Sequence, residues 1–306
     1  DFVMDCSGEP KDYTGFTMSD GIPVNSVYVT QCYCDQPRFL YTLTIARPYG
    51  WVFGIPLQNR CSIGYLYNNN INNLEEIKED VKNVFQEYNL TPSDKTNSFS
   101  FKNYYRKKPV TNRVVYNGNA CFFLEPLEAT SIYTMENIYR KAYDVWFKNK
   151  NIDDANDELI DGIMEIENMI MLHYCAGSIY DTPFWEFAKK RGENRIKKGL
   201  NNKWFNKVID YTKNNAWSKV IAQEDLPVEI TFNSSQGTWI PSSYKQNLKG
   251  LDLYDKLERL KNEQTAFDAK VALYKQTGDA LGALSDLIGK QTGAGKAAAR
   301  GRSQAG

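Results

Sequence analysis

Residues 26–67 carry β-branched and aromatic residues in short runs broken by turns, and no other part of the sequence constrains the fold as strongly. Turn sequences at 35–37, 48–50 and 58–59 separate these runs. Because short strands joined by tight turns pair with their chain neighbours, the sequence predicts an antiparallel sheet of about four strands. The predicted strands span residues 27–30, 40–45, 51–53 and 63–67.

Helical spacing of apolar residues takes over after the sheet. It predicts a helix over residues 74–88 and others over 130–148, 154–174 and 202–222. The segment Asp181-Thr-Pro-Phe-Trp185 is typical of a turn that leads into a helix. Two prolines indicate an irregular segment near 225–245. The predicted fold class is therefore α+β, with a mostly antiparallel sheet followed by a helical C-terminal region.

The composition excludes several classes of function. Lysine and arginine balance aspartate and glutamate at 37 each, so net charge does not indicate nucleic-acid binding. No apolar run approaches the ~20 residues of a membrane helix. The six cysteines are scattered and predict reduced thiols, a cytoplasmic location and no metal site. With His173 as the one histidine, a Ser-His-Asp hydrolase is disfavoured.

The first eight residues, Asp1-Phe-Val-Met-Asp5-Cys-Ser-Gly8, predict a buried strand that runs into a glycine turn. Because a chain terminus is usually solvated, we expect this sequence to have been cut from a longer protein. Taken alone, the segment is compatible with an ordinary core strand, or with a backbone that closely approaches a phosphate or ribose.

Two segments resemble flavin-dependent tryptophan halogenases. The first is Asp1–Gly8, which resembles the family's D-x-x-x-D-C/A-S/T-G segment beside the flavin. The second is Gly50-Trp51-Val-Phe53-Gly-Ile55-Pro56, which resembles the family's W-x-W-x-I-P and has Phe53 in place of the second tryptophan. The resemblance implies that Trp51, Phe53, Ile55 and Pro56 form a wall between flavin and substrate. The alternative is a core strand with two buried aromatic residues.

The third and most specific segment runs from Gly118 through Phe123-Leu-Glu125-Pro-Leu-Glu128-Ala-Thr130-Ser131. It resembles the family's G-x-x-x-x-F-x-E-P-L-E-S-T-G. The resemblance implies that Glu128 is catalytic, receiving a proton from the ring under substitution. The amides of Thr130 and Ser131 lie near a predicted helix N-terminus, which favours an anion, and the resemblance assigns halide binding to this pair. The alternative for Glu128 is an acid that stabilises the first helical turn.

The resemblance covers residues 1 to about 200, and more weakly to about 250. It implies FAD as the cofactor, with Asp5, Gly8 and Gly118 near it, a halide co-substrate and a separate flavin reductase. The implied reaction is electrophilic halogenation of a tryptophan- or indole-like aromatic small molecule. His173 and the 181–185 segment also match, and we interpret both as structural.

The family's glycine-rich fingerprint and catalytic lysine should lie upstream of Asp1, so we expect the isolated 306-residue chain to be inactive. We predict three parts: a remnant of the flavin- and substrate-binding sheet domain at 1–130, a helical halogenase region at 131–250, and a tail at 251–306 outside the fold. Within the tail, 251–272 is a charged helix pattern and 289–306 is predicted to be disordered. Residues 262–298 weakly resemble phage tail tape-measure proteins.

Two alternatives stay open. One is an FAD-dependent monooxygenase that hydroxylates its substrate on the same fold, because Phe53 replaces a wall tryptophan. The other is a non-catalytic remnant or a fusion to a phage structural protein, because of the Gly/Ala-rich tail. Substrate, regioselectivity, halide preference and oligomeric state, including a homo-oligomer, are not set by the sequence.

Overall fold

A computed structural model describes residues 1–19, 21–33, 39–200, 209, 212–213 and 241–277. The chain divides into two compact units, Asp1–Tyr254 and Asp255–Gly306. The first unit contains the sheets and the segments that resemble the halogenase motifs. The predicted boundaries at residues 130 and 250 stay a prediction.

Ten strands lie within the described ranges and form three sheets. They are β1 (Val3–Asp5), β2 (Phe16–Met18), β3 (Ser26–Tyr33), β4 (Leu43–Arg47), β5 (Gly50–Pro56), β6 (Arg60–Tyr67), β7 (Thr91–Ser100), β8 (Tyr104–Arg106), β9 (Val114–Tyr116) and β10 (Phe122–Phe123). The sheet orders are β4-β5-β6-β3-β7, β10-β8-β2 and β1-β9.

One helix lies between β6 and β7 in sequence, and the other helices in the described ranges follow the strands. Those described are α1 (Leu74–Glu87), α2 (Ser131–Lys148), α3 (Ile152–Ala176), α4 (Pro183–Gly199), α5 (Pro241–Gly250) and α6 (Tyr254–Thr277), with short 3-10 turns at Gly118–Ala120 and Leu127–Ala129. None of the helices in these ranges is both long and apolar enough to cross a membrane. The mixture of antiparallel sheets and helices confirms the predicted α+β class.

The five-stranded sheet confirms the four predicted strands and adds a fifth. Strand β7 pairs antiparallel with β3 at the sheet edge, from Ser26 opposite Ser100 to Tyr33 opposite Thr91. Its sequence is polar and mostly exposed, so it lacks the apolar alternation by which strands are recognised. Polar residues are usual on an edge strand, where they discourage pairing with other chains.

Helix α1 covers one face of the five-stranded sheet. Ile77, Val81 and Val84 of α1 share a buried cluster with Val52 and Ile63 of the sheet. Burial of such aliphatic side chains stabilises the fold by roughly 1.5–3 kcal/mol each. Because side chains alternate across a strand, the face of β5 that carries Val52 faces away from the side chains at 51, 53 and 55.

Strand β1 differs from the prediction in its burial. The strand is present and pairs in parallel with β9, but Phe2, Val3 and Met4 are exposed, so the prediction of a buried strand was wrong. The physical reason is that β1 has one strand neighbour, β9, among the described residues. The Phe2 ring packs on Trp146 of α2, with ring centroids 4.5 Å apart.

Helices α3 and α4 lie close together. A Cβ atom added at Gly192 of α4 would come within 2.5 Å of the backbone nitrogen of Cys175 on α3, so the glycine allows this approach. Pro241–Gly250 is helical, which corrects the prediction of irregular structure over 241–245. Helix α6 confirms the predicted charged helix of residues 251–272 from Tyr254 onward. The predictions for 202–222, 225–240 and 289–306, and the phage-like stretch beyond 277, fall on residues outside those described, apart from 209, 212 and 213.

Candidate active site

The candidate site is built around the turn that joins β10 to α2. Ala129 N–H donates to the Pro126 carbonyl at 2.9 Å, which closes a single 3-10 turn. Glu128 and Ala129 have φ values of 66° and 52°, in the left-handed region that non-glycine residues seldom occupy. A strained backbone persists only where the surrounding structure holds it, and such residues are common at functional sites. Helix α2 begins only at Ser131, so Glu128 is not an acid of the first turn of α2.

Glu128 faces α3. Its Oε1 atom lies 3.4 Å from Nε2 of His173, and its side chain is 34% exposed. The other ring nitrogen of His173, Nδ1, lies 3.1 Å from the Met169 carbonyl oxygen of the same helix. The contact of Nδ1 with its own helix agrees with the structural interpretation of His173. The other nitrogen, Nε2, faces the carboxylate of Glu128, which is the predicted catalytic group. The two residues are distant in sequence, so no local pattern indicated this pair.

Glu125 precedes Glu128 in the same turn and was not predicted as a site residue. Its side chain is 1% exposed, and its Oε2 atom accepts hydrogen bonds from Trp51 Nε1 at 3.0 Å and from the Tyr174 hydroxyl at 2.7 Å. Burial raises the pKa of Glu125 to about 7, and the two hydrogen bonds partly offset that rise. A glutamate directly after the apolar run Phe122-Phe-Leu was the one sequence signal of a buried carboxyl group.

The proposed wall residues lie on β5. Trp51, Phe53 and Ile55 share the face opposite the α1 cluster, and the rings of Trp51 and Phe53 are 6.2 Å apart between centroids. Trp51 is 4% exposed, whereas Ile55 is 41% exposed. Pro56 ends the strand opposite Cys61. The structure thus brings three of the four residues together on one surface.

The wall and the Glu128 turn are joined through Glu125. The Trp51 indole reaches the Glu125 carboxyl from the sheet, and Glu125 is in the same turn as Glu128. The Tyr174 hydroxyl reaches that carboxyl from α3, next in sequence to His173. The turn is therefore held between β5 and α3.

The predicted halide residues begin α2. Thr130 is the N-cap residue, is buried, and makes no side-chain cap hydrogen bond. Its carbonyl oxygen accepts from the backbone N–H of Thr134 at 3.1 Å, so its amide stands at the start of the helix. Ser131 is the first helical residue. The unpaired N–H groups and the dipole of a helix start suit an anion.

The predicted flavin residues lie at the carboxyl ends of two parallel strands. Asp5 ends β1, and its backbone carbonyl accepts from the N–H of Asn117, just after β9, at 2.8 Å. Gly8 and Gly118 follow the two strands with φ values of 97° and 57°. A Cβ atom at Gly8 would meet nothing within 4 Å, and one at Gly118 would meet only Met135 of α2, at 3.8 Å. These open, left-handed glycines fit close approach of a cofactor to the backbone.

Asp5 itself is anchored locally. Hydrogen bonds from the side chain and the backbone of Ser7 lower its pKa, so Asp5 is a carboxylate at neutral pH. Within the described ranges, no group of three or more His, Cys, Asp or Glu residues is placed to hold a metal ion.

Comparisons with known proteins agree with this architecture. A family model described as tryptophan halogenase matches residues 1–260. Tryptophan 7-halogenase RebH from Lentzea aerocolonigenes is 26% identical over 221 residues, which cover 66% of this chain and 40% of RebH. Tryptophan 6-halogenase ThaL from Streptomyces albogriseolus is 25% identical over 62% of this chain and 38% of ThaL. The chain thus spans about 40% of the length of these curated relatives.

Solved structures show the same fold. The tryptophan 6-halogenase SttH from Streptomyces toxytricini superposes with a TM-score of 0.59 at 20% identity, covering 90% of this chain and 54% of SttH. The lanthipeptide tryptophan 5-halogenase MibH superposes with a TM-score of 0.61 at 14% identity, covering 87% of this chain and 52% of MibH. From the family match over most of its length, the chain belongs to the tryptophan halogenase family.

Proposed function

We propose that the protein acts in flavin-dependent electrophilic halogenation of an aromatic, tryptophan- or indole-like small molecule. One observation carries the proposal: Glu128 stands in a strained turn directly before the α2 N-terminus, opposite His173 and tied through Glu125 to the Trp51 face. This arrangement offers a proton acceptor, an anion-binding helix start and an aromatic surface within one connected structure.

In this proposal, Glu128 lies beside the substrate ring. When a halogen adds to an aromatic carbon, that carbon must lose its proton, and a nearby carboxylate accepts it as a general base. The amides of Thr130 and Ser131 hold the halide at the start of α2. Trp51, Phe53, Ile55 and Pro56 separate the oxidising chemistry from the substrate, because packed aromatic side chains exclude water and small reactants.

Asp5, Gly8 and Gly118 would hold part of FAD. Reduced FAD, when bound, supplies together with oxygen the oxidising capacity that converts halide into an electrophile. A separate flavin reductase would keep the cofactor reduced. A location in the cytoplasm stays a prediction from the sequence, and the oligomeric state stays open.

The test of the chain's own site needs no turnover. His173 is the one histidine of the sequence, so ¹⁵N labelling of histidine gives ring signals that require no further assignment. We expect L-tryptophan or indole to shift these signals on binding, because the ring faces Glu128 at 3.4 Å. An unchanged His173 spectrum at saturating concentrations of both ligands would contradict an aromatic site at Glu128.

A turnover assay tests the reaction. The assay contains FAD, a flavin reductase, NADH, oxygen, tryptophan and bromide, and the product is identified by mass. We propose that the 306-residue chain alone gives no product, and halide turnover by it would contradict this part. In any active preparation of the protein, brominated product that is lost in E128Q supports halogenation.

Hydroxylation is the second candidate, since Phe53 stands where the family motif has tryptophan and is less buried than Trp51. An oxygenated product that forms equally with and without bromide would favour the monooxygenase.

A further inference from the structure

Glu125 makes hydrogen bonds to three other parts of the first unit. Its Oε2 atom accepts from Trp51 on β5 and from Tyr174 on α3, while its backbone N–H donates to Asn103 Oδ1 at 2.9 Å. Trp51 is 74 residues away in sequence and Tyr174 is 49. These contacts therefore exist only in the folded chain.

Burial of the Glu125 carboxyl group costs free energy of folding. Its Oε1 atom is buried and has no hydrogen-bond partner among the described residues. A buried polar atom without a partner costs about 1–3 kcal/mol, and an ionised one costs more. A neutral carboxyl group lowers that cost, in agreement with the rise of its pKa to about 7 by burial. An apolar side chain would avoid the cost but could not hold Trp51 and Tyr174.

Of the three side chains in the contact between Glu125, Trp51 and Tyr174, Glu125 is the one that titrates near neutral pH. The Trp51 indole, from β5, does not titrate, and burial raises the pKa of Tyr174, from α3, well above its usual value. Glu128 and His173 are the next ionisable groups along the same turn and the same helix.

The same turn carries Glu128. The Glu125–Tyr174 and Glu128–His173 contacts tie two positions of the turn to successive residues of α3. They hold a segment whose left-handed φ values at Glu128 and Ala129 would otherwise relax. Loss of Glu125 would therefore affect both the wall and the position of Glu128.

We propose that Glu125 is a positioning residue whose buried carboxyl group fixes the Trp51 indole and the Glu128 turn against α3. It thereby sets the separation between the aromatic wall and the predicted general base. Its role in halogenation rests on the proposed function; its effect on Trp51 and His173 does not.

The experiment is NMR of the whole 306-residue chain with ¹⁵N-labelled tryptophan and ¹⁵N-labelled histidine. W51F assigns the Trp51 indole signal, and His173 reports on the Glu128 turn. We expect the wild-type Trp51 signal to titrate with a midpoint near pH 7. E125Q keeps an acceptor oxygen but cannot titrate. Its Trp51 signal should therefore stay near the position that the wild-type signal has at low pH, and it should not change with pH. In E125L, both the Trp51 and His173 signals should shift.

E165Q is the matched control, because Glu165 is also buried and burial raises its pKa to about 7. Its Trp51 titration should match the wild type. The proposal is overturned if E125Q titrates like the wild type, or if folded E125L leaves both reporter signals unchanged; if E125L does not fold, E125Q decides. Since no flavin, halide or turnover is involved, failure of the halogenase proposal would leave this result standing, and the reverse also holds.

Discussion

The Nε2 atom of His173 lies 3.4 Å from the Oε1 atom of Glu128, across the space between α3 and the turn before α2. Nδ1 of the same ring lies 3.1 Å from the Met169 carbonyl oxygen, which fits an Nδ1–H that donates to it. This contact orients the ring, so that its second nitrogen faces the carboxylate that we propose as the general base.

E128Q should lower kcat for halogenation by roughly 100-fold or more, because an amide cannot accept the ring proton. Substrate affinity should change little, since the side chain keeps its shape. Steady-state kinetics of an active preparation measure both. E136Q is the control, as Glu136 is an exposed residue of α2 whose partner is Arg140. Equal kcat values for E128Q and E136Q would remove Glu128 from the mechanism.

D80N should destabilise the fold by about 3 kcal/mol, because it breaks a buried ion pair with Arg47. Burial alone would raise the pKa of Asp80, but hydrogen bonds from Arg47, Asn83 and Tyr65 outweigh it and leave the pKa lowered. A lowered carboxyl pKa stabilises the fold above the unfolded pKa of about 4, and this contribution is lost as pH falls through the lower folded pKa.

Urea unfolding at several pH values measures this effect. The free energy of unfolding of the wild type should fall more steeply in acid than that of D80N. Parallel curves would show that Asp80 does not titrate with folding.

E165Q should change the pH dependence of stability in the opposite direction. Burial raises the pKa of Glu165 to about 7, above the value of roughly 4.5 of an unfolded glutamate. The folded state then binds more protons than the unfolded state between these values, so stability falls as pH rises through this window. E165Q removes this loss, so the free energy of unfolding of E165Q relative to the wild type should rise by about 3 kcal/mol between pH 4 and pH 8. A wild-type curve that is flat between pH 5 and 8 would contradict it.

G64A should destabilise the sheet and displace the wall. A Cβ atom at Gly64 would lie 2.1 Å from Cζ of Phe53, a distance that the two side chains cannot share. Overpacking of this kind costs roughly 1–3 kcal/mol. G250A is the control, because a Cβ atom there would meet nothing within 4 Å. Thermal melts compare the two, and a G64A melting temperature no lower than that of G250A would be inconsistent with the packing described.

The sequence predicted those parts of the fold that depend on local signals. Helix α1 was predicted almost to the residue, because apolar residues from Leu74 to Val84 recur at helical spacing, and the structure adds a reciprocal cap between Asn73 and Glu76 at its start. Helix α4 begins where Thr182 caps it and Pro183 opens it. Strand β7 was missed, because its polar residues pair at an edge where no apolar pattern is required.

The site was predictable only in part. The motifs placed Glu128, Thr130 and Ser131 in one turn, since they are sequence neighbours. Their relation to α3 and β5 depends on contacts over 49 and 74 residues, which leave no periodic pattern in the sequence. A resemblance can nominate residues within each segment, but it does not give the hydrogen bonds between segments.

Because the Trp51 indole and the Tyr174 phenol donate to the same carboxyl oxygen of Glu125, a substitution in the proposed wall at Trp51 also affects the contact between Glu125 and α3. Replacing Trp51 by a smaller residue would also remove a hydrogen-bond donor from the buried Glu125 carboxyl group. The contact of that group with Tyr174 of α3 would then be weaker. Variants with altered substrate range are therefore expected to need paired substitutions, one in β5 and a second at position 125 or 174.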